Sequence, residues 1–577
     1  MEKRVLVTVA LSIAVLVGYQ LIQAKFFPTP PPPVSTAVAP GAPSGSPAPG
    51  APPAPSGASA PTPTPGAPAA AAPGALRVAE ERETVERPGF YRAVFSSWGG
   101  TPVELSLLHP QFKEERAGAV VPIQLTHPQA GPAPLFAVTF QGSGADAERS
   151  DFDLPADAVW TRQKGLEKGP EELVYAADVG GVHLEKRWTL PARGYQIGLA
   201  LTVENRGDKP VTHRLLATMA GWQDPAVKPG GWLSFGRREN LTDAACLVGG
   251  KVKRQLLEEA IEKPIAEVGD LRWIAIGQPF FVAALGLAKE TEGRACQVRG
   301  EAGGRMVARA VFPARTVPPG QKQVVSFAGF VGPKLLHELD DVAVGGESVG
   351  LGDAVDYTFA WLARPMFWVL KVIQRGVVNW GVAIIVITLL LKLVMFWPTH
   401  KSMQSAKAMA RLKPELDKLK ERLGDDKEAF SQAQMKLFKE RGVNPLGGCL
   451  PMLLQMPIYI AFYSMLSNAV ELYRAPFFGP INDMTAPFWP MALATGVLMF
   501  VQQKISPAVP DSQQQQIMMY MMPVMFTMFT LMLPSGLVLY ILTNTLLTMG
   551  QQWWMNRHDP PLPTKAPAAK PTKPAKA

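Results

Sequence analysis

VVNWGVAIIVITLLLKLVMFWPTH, residues 377–400, is the stretch on which the reading of this chain turns. It is apolar almost throughout, and Trp380, Trp397 and Pro398 bracket it. Its length and composition predict a membrane-spanning helix over 377–398. A single charge, Lys392, interrupts it. Placing a charge at bilayer depth costs roughly 2.5–3.5 kcal/mol on insertion scales. The rest of the chain has to explain why that lysine is there.

The 577 residues are 47% hydrophobic and 18% charged, but the averages hide a divided chain. Residues 1–27 read as an uncleaved anchor span with Lys3 and Arg4 holding the N-terminus in the cytoplasm. Residues 28–78 are almost all Pro, Ala, Gly, Ser and Thr, with no charge between Lys25 and Arg77, and read as an extended linker. Residues 79–350 have ordinary soluble composition. Beyond them the sequence predicts an amphipathic helix over 351–376, lying in the membrane interface or packed under the preceding domain. Further spans follow at 447–466, 488–503, 517–533 and 536–554, with a turn at Pro534-Ser535-Gly536. The loops between them are 399–446, 467–487 and 504–516, and a tail covers 555–577.

Charge orients these spans. Eleven Lys or Arg residues lie between Lys401 and Arg441, against Arg474 alone in 467–487, and the tail after Trp554 is basic again. This is the positive-inside pattern. It places both termini in the cytoplasm and the 79–350 domain in the periplasm. It also accounts for the net charge of +9 without a nucleic-acid partner, since no aromatic–basic recognition motif accompanies the charge.

Residues 79–350 read as a large β-sandwich. Ile197, Leu199, Leu201 and Val203 alternate with small or polar residues, as do Val182, Leu184 and Trp188. Trp98-Gly99-Gly100 marks a turn between two alternating runs. The seven histidines are scattered, no metal-spaced set appears, and no catalytic constellation is visible. The expectation is a scaffolding or binding domain with no enzymatic activity, metal or cofactor. Cys246, Cys296 and Cys449 form no CxxC pair. A Cys246–Cys296 disulfide is open to an extracytoplasmic domain, but two buried free thiols are the simpler reading of the spacing.

The 399–446 segment predicts two helices packed as an antiparallel hairpin. Leu412, Leu416, Leu419 and Leu423 form one stripe, Phe430, Ala433 and Leu437 the other, with Gly424 between them and Asp425 or Asp426 as a cap. Its charged outer face, with Lys407, Arg411, Lys418 and Arg422, is either a docking device or a solvated surface.

Thr388 lies one turn before Lys392, and Gln455, Thr495, Thr543, Asn544 and Thr545 add polar groups to other spans. Together they predict a wet cavity carrying Lys392. The alternative is a snorkelling lysine, since Pro398 is only about 9 Å further along the helix. The methionines of the fifth predicted span, Met518, Met519, Met521, Met522, Met525, Met528 and Met532, suit a surface that accepts varied apolar partners. Met456, Phe462, Met525 and Met528 are the candidate face along which such a partner slides. No second intramembrane charge offers an ion relay, and no P-loop is present. The combination predicts a device that receives polypeptides rather than ions.

The motifs NPLGGCLPMLLQMPIYIAFY (444–463), VELYRAP (470–476), QQKISP (502–507), LPSGLVLY (533–540) and NWG (379–381) occur in that order. In sequence and spacing the chain from about Gly89 to Trp554 resembles the YidC family of bacterial membrane protein insertases, relatives of the mitochondrial and chloroplast insertases. The resemblance implies a five-helix core around a hydrophilic groove open to cytoplasm and lipid, in the bacterial inner membrane. It implies a β-supersandwich periplasmic domain like that of galactose mutarotases. It also implies nascent membrane proteins as substrates, inserted without nucleotide. The Sec translocon with its accessory subunits, the ribosome, the signal recognition particle receptor and membrane lipids are the implied partners. The family's groove usually carries arginine where this chain has Lys392; lysine keeps the charge and loses the planar fork. The rival readings are a secondary transporter of a small solute, which would show repeated halves, and a membrane-tethered periplasmic binding protein.

Overall fold

The structure is a computed structural model that describes residues 79–116, 119–141, 150–227, 241–290, 293–424, 426–443, 450–505 and 520–558. The predicted anchor and linker, the segment 444–449 with Cys449, Asp425, Met518 and Met519, and the tail from 559 lie outside them.

Residues 82–333 fold into antiparallel sheets. The largest has nine strands in the order Lys251–Leu256, Asp243–Val248, Leu271–Gly277, Phe281–Leu287, Lys322–Pro333, Gln196–Asn205, Val182–Thr189, Glu172–Val179, Thr161–Arg162. A five-stranded sheet, in the order Ile265–Gly269, Arg294–Gly300, Arg305–Val311, Leu215–Trp222, Ala137–Phe140, packs against it. The alternation read from the sequence is the one observed: Ile197, Leu199, Leu201 and Val203 are buried and their neighbours less so. Gly99 and Gly100 turn the chain between strands with positive φ. Cys246, in the nine-stranded sheet, and Cys296, in the five-stranded sheet, form a disulfide across the sandwich, with Cα atoms 6.6 Å apart. The free-thiol expectation is therefore corrected. Fifty residues of separation say nothing of two strands that face each other from different sheets.

One inward position departs from apolar alternation. In the strand Val182–Thr189, Lys186 points inward with Val182, Leu184 and Trp188. Its Nζ donates to the Gly99 carbonyl at 2.5 Å and lies 4.4 Å from the centre of the Trp160 ring. Among the described residues no counter-ion offsets its burial, which pulls the ammonium down to about 7.

The helices are α1 (Ala360–Val377), α2 (Trp380–Val394), α3 (Phe396–Arg411), α4 (Lys413–Leu423), α5 (Lys427–Glu440), α6 (Leu450–Asn468), α7 (Trp489–Ile505), α8 (Met522–Thr530) and α9 (Ser535–His558). Their common anchor is the loop 470–486. The Asp483 carboxylate accepts from the amides of Arg474 and Thr485, and the Asp483 carbonyl accepts from Ser535 Oγ at 2.9 Å. The amides of Ser535 and Gly536 donate to Ala486 and Met484, so α9 starts at this loop. Asn379 caps α2 by accepting from the Val382 amide, and its Nδ2 donates to Phe477 O, so α2 starts here too. Helix α1 is tied at both ends to the same region, through Thr358 to Ser464 and through Val378-Asn379 to Phe477. It therefore lies across the bundle. Its inner face buries Ala363, Met366, Phe367 and Leu370 and leaves Trp361 and Trp368 exposed.

The same loop holds the β-domain. The Tyr473 ring packs on Phe280 and Phe281, its hydroxyl donates to Lys113 O at 2.9 Å, and the Gln111 amide donates to the carbonyls of Glu471 and Tyr473. Burial raises the Glu471 carboxyl, opposed by Lys371 at 3.4 Å.

Two predicted boundaries change. The span 377–398 is not one helix: α2 and α3 meet at Met395 with a bend of 62°. The turn expected at 534–536 lies at 531–533 instead, because Ser535 and Gly536 already begin α9. Among the described residues no single helix is long and apolar enough to cross a membrane, whereas α2 and α3 together meet that measure of length and composition. Helices α4 and α5 meet around Leu412, Leu416 and Phe438, so the second helix buries Phe438 rather than the expected Phe430, Ala433 and Leu437; Asp426 caps α5, and Arg441 pairs with Glu415 at 2.6 Å.

Two predictions follow from this packing. A Cβ on Gly381 would overlap the Phe477 ring, so Gly381→Ala should destabilise the chain by about 1–3 kcal/mol. Thermal unfolding in detergent should show the loss, and Phe477→Leu in the same chain should recover part of it. For Lys186, the folded value near 7 lies below the unfolded value of 10.5. The burial penalty is then complete below pH 7 and is relieved as pH rises toward 10, by about 1.4 kcal/mol per unit. Lys186→Met should differ most from the parent chain below pH 7, the gap closing as pH rises. A gap that does not change with pH would mean that Lys186 stays charged when buried.

Candidate functional site

The candidate site lies where α2, α6 and α9 meet. Lys392 is in the last turn of α2, half-buried and turned toward α9 rather than along its own helix. Its Nζ donates to Thr548 Oγ1 at 2.7 Å. Thr548 donates in turn to the carbonyl of Asn544 at 2.6 Å, and the Asn544 amide donates to the Tyr459 hydroxyl of α6 at 2.9 Å. A hydrogen-bonded chain thus links three helices and ends on the one charge of α2. Beside it, Gln455 bonds the Tyr540 hydroxyl, and the Tyr540 ring meets Tyr459 edge-on at 5.3 Å.

Of the predicted groove residues, the structure brings Lys392 and Asn544 into one chain and sets Gln455 beside it. Thr388 and Thr495 are placed differently. Both are fully buried and spend their hydroxyls on their own helices, Thr388 on Ile384 O at 2.6 Å and Thr495 on Met491 O at 2.8 Å. A threonine in an apolar helix can satisfy itself on the carbonyl four residues back, which a polar stripe alone does not reveal. Sequence reasoning missed Thr548 and Tyr459. The signal for Thr548 was its place one turn after Asn544; Tyr459 carried none beyond its being a tyrosine in an apolar run.

The candidate sliding face divides as well. Met456, Met525 and Met528 are exposed, the last two by more than 60%. Phe462 is not on that face: it is fully buried and stacked on Tyr540 at 4.1 Å, as part of the helix core. Leu493 and Val497 on α7 and Leu389 and Leu393 on α2 are exposed as well. Exposed apolar side chains in this number suit contact with lipid or with another chain. In the hairpin region Arg411, Lys418 and Arg422 are exposed, whereas Lys407 donates to Met555 O at 2.7 Å and joins α3 to the end of α9.

Comparison with known proteins agrees with this architecture. A model described as the YidC periplasmic domain matches residues 84–369, and one described as the 60Kd inner membrane protein matches residues 372–561. A protein named membrane protein insertase YidC from Anaeromyxobacter dehalogenans (strain 2CP-C) is 37% identical over 571 residues, 98% of this chain and 99% of its own. One of the same name from Citrifermentans bemidjiense is 34% identical over 565 residues, 96% and 99% of the two chains. Among solved structures, an active YidC insertase crystal structure with its first transmembrane domain resolved is 18% identical, covering 82% of this chain and 95% of that one with a TM-score of 0.35. The two family models and the near full-length relatives leave one assignment: the chain belongs to the YidC family of membrane protein insertases.

Proposed function

We propose that this chain inserts nascent membrane proteins by receiving a polar flank of the substrate at Lys392 while the substrate's apolar segment moves along the exposed methionine face. The observation that carries the reading is the Lys392–Thr548–Asn544–Tyr459 chain. A lysine that merely reached for the headgroups would extend along its own helix. This one is turned into the bundle and held by a neighbouring hydroxyl, which keeps a charge available where polar groups of a substrate need a replacement for water. The sliding face is Met456, Met525 and Met528, with Phe462 left out. Hydrophobic transfer drives the step, helped by the membrane potential on charged flanks, with no nucleotide or cofactor.

In this reading the helices span the bacterial inner membrane six times with both termini in the cytoplasm. α1 lies in the periplasmic interface, which its crosswise position and exposed Trp361 and Trp368 support. The disulfide supports a periplasmic β-domain, because such bonds persist in oxidising compartments. The end of α3 and the α4–α5 hairpin, with exposed Arg411, Lys418 and Arg422, are the docking surface for the ribosome and the signal recognition particle receptor. The Sec translocon and its accessory subunits are partners for larger substrates.

Insertion assays in vesicles test the groove. Lys392→Met should lower insertion of a substrate with an acidic flank roughly tenfold, the loss of one charge-assisted hydrogen bond. Lys392→Arg should keep most activity, and Thr548→Val should fall between them, with Thr548→Ser near the parent. Undiminished insertion by Lys392→Met would sink the groove reading. Topology has a separate test. Thiol labelling of the denatured chain from cells should modify Cys449 alone before reduction and all three cysteines after it. Free Cys246 and Cys296 would place the β-domain in a reducing compartment.

A further inference from the structure

The end of the bundle away from the loop 470–486 carries a recurring pair. On α3, Lys401 Nζ lies 3.8 Å from the centre of the Trp397 ring; on α7, Lys504 lies 4.9 Å from Phe500; on α9, Arg557 lies 4.1 Å from Trp553. In each case the cation follows the aromatic residue by four positions on the same helix. Helices α2, α7 and α9 all start at the loop, so the ends of α7 and α9, and α3 beyond α2, lie at the opposite end. Contacts of Phe396 and His400 with Trp554, at 6.2 and 6.1 Å, join α3 to α9 there.

All three cations are exposed, and among the described residues none has a carboxylate partner. The same aromatic–cation spacing occurs once at the loop end, in Phe367 and Lys371, and there Glu471 neutralises the lysine at 3.4 Å. Of the four aromatic–cation pairs, the one at the loop end is therefore neutralised and the three at the opposite end are not. An indole or phenyl ring favours the boundary between hydrocarbon and headgroups. A cation lying on that ring has one side covered by the π face and its remaining N–H groups turned outward. The ring also holds the long side chain in one place, which lowers the entropy lost on binding. The partner that meets a ring at headgroup depth and a cation with free donors is a lipid phosphate.

We propose that Trp397/Lys401, Phe500/Lys504 and Trp553/Arg557 are binding sites for the phosphates of anionic phospholipids in the leaflet at that end of the bundle. This does not depend on the groove at Lys392, and neither test bears on the other.

The test uses the full chain reconstituted in phosphatidylcholine vesicles doped with brominated phosphatidylglycerol or, separately, brominated phosphatidylcholine, with tryptophan fluorescence as the readout. Quenching by the anionic lipid should reach its midpoint at about fivefold lower lipid fraction, and high salt should shrink the difference. The triple variant Lys401→Gln, Lys504→Gln, Arg557→Gln should lose the preference. The charge-keeping variant Lys401→Arg, Lys504→Arg, Arg557→Lys should retain it, which separates loss of charge from loss of folding. Equal quenching by the two lipids in the parent chain overturns the proposal, and so does a preference that survives in the triple Gln variant.

Discussion

The carboxylate of Asp483 and the ring of Tyr473 are the fixed points from which the described chain is organised. Asp483 closes a short loop on itself by accepting from the amides of Arg474 and Thr485. Its carbonyl, with those of Met484 and Ala486, takes the first donors of α9, groups that a helix start otherwise leaves unpaired. Phe477, in the same loop, takes the α2 cap and fills the space beside Gly381. Tyr473 faces the other way and plugs into the β-domain. A few polar groups thus set where the long helices begin, which way they run and what sits above them.

With one end of the helices pinned in this way, their differing lengths are expressed at the other. Helix α7 has 17 residues and α9 has 24, about 26 and 36 Å. Helix α2 has 15 residues, about 22 Å, and then bends. Lys392 stands three residues before that bend. A straight continuation would carry the chain away from α9. The bend instead brings α3 across, so that Lys407 and the Phe396 carbonyl meet the last turns of α9. The polar chain from Lys392 to Tyr459 lies between the pinned end and this crossing.

Much of this was legible in the sequence where periodicity speaks. Strand faces such as Ile197–Val203, the Leu412–Leu416 stripe and the apolar helices follow from spacing, and Lys392 announces itself as a charge in an apolar run. What was not legible depends on partners distant in sequence. Pro398 breaks the helix at Met395, because it has no N–H for the Val394 carbonyl one turn back, but the direction of the bend depends on what α3 meets. Thr388 and Thr495 look like groove residues until their hydroxyls are found bonded to their own backbones. Phe462 looks like a sliding surface until Tyr540 covers it. Lys186 is the sharpest case: its strand reads as regular alternation, and a lysine at an inward position passes as an irregularity until Gly99 and Trp160, some 87 and 26 residues earlier, are seen around it.

The disulfide has a consequence for how this molecule comes into being. In the periplasmic placement proposed above, Cys246 crosses the membrane fifty residues before Cys296. In the finished sandwich both sulfurs are shut away from solvent between two sheets. An oxidant can reach them only while the two sheets are still apart, so the bond belongs to an early, open stage of the domain's assembly. During that interval, in the same periplasmic placement, the chain presents Cys246 as a lone thiol to an oxidising compartment. A member of a family that escorts other proteins into the membrane thus has a vulnerable interval in its own biogenesis, one that ends when the strand Arg294–Gly300 arrives.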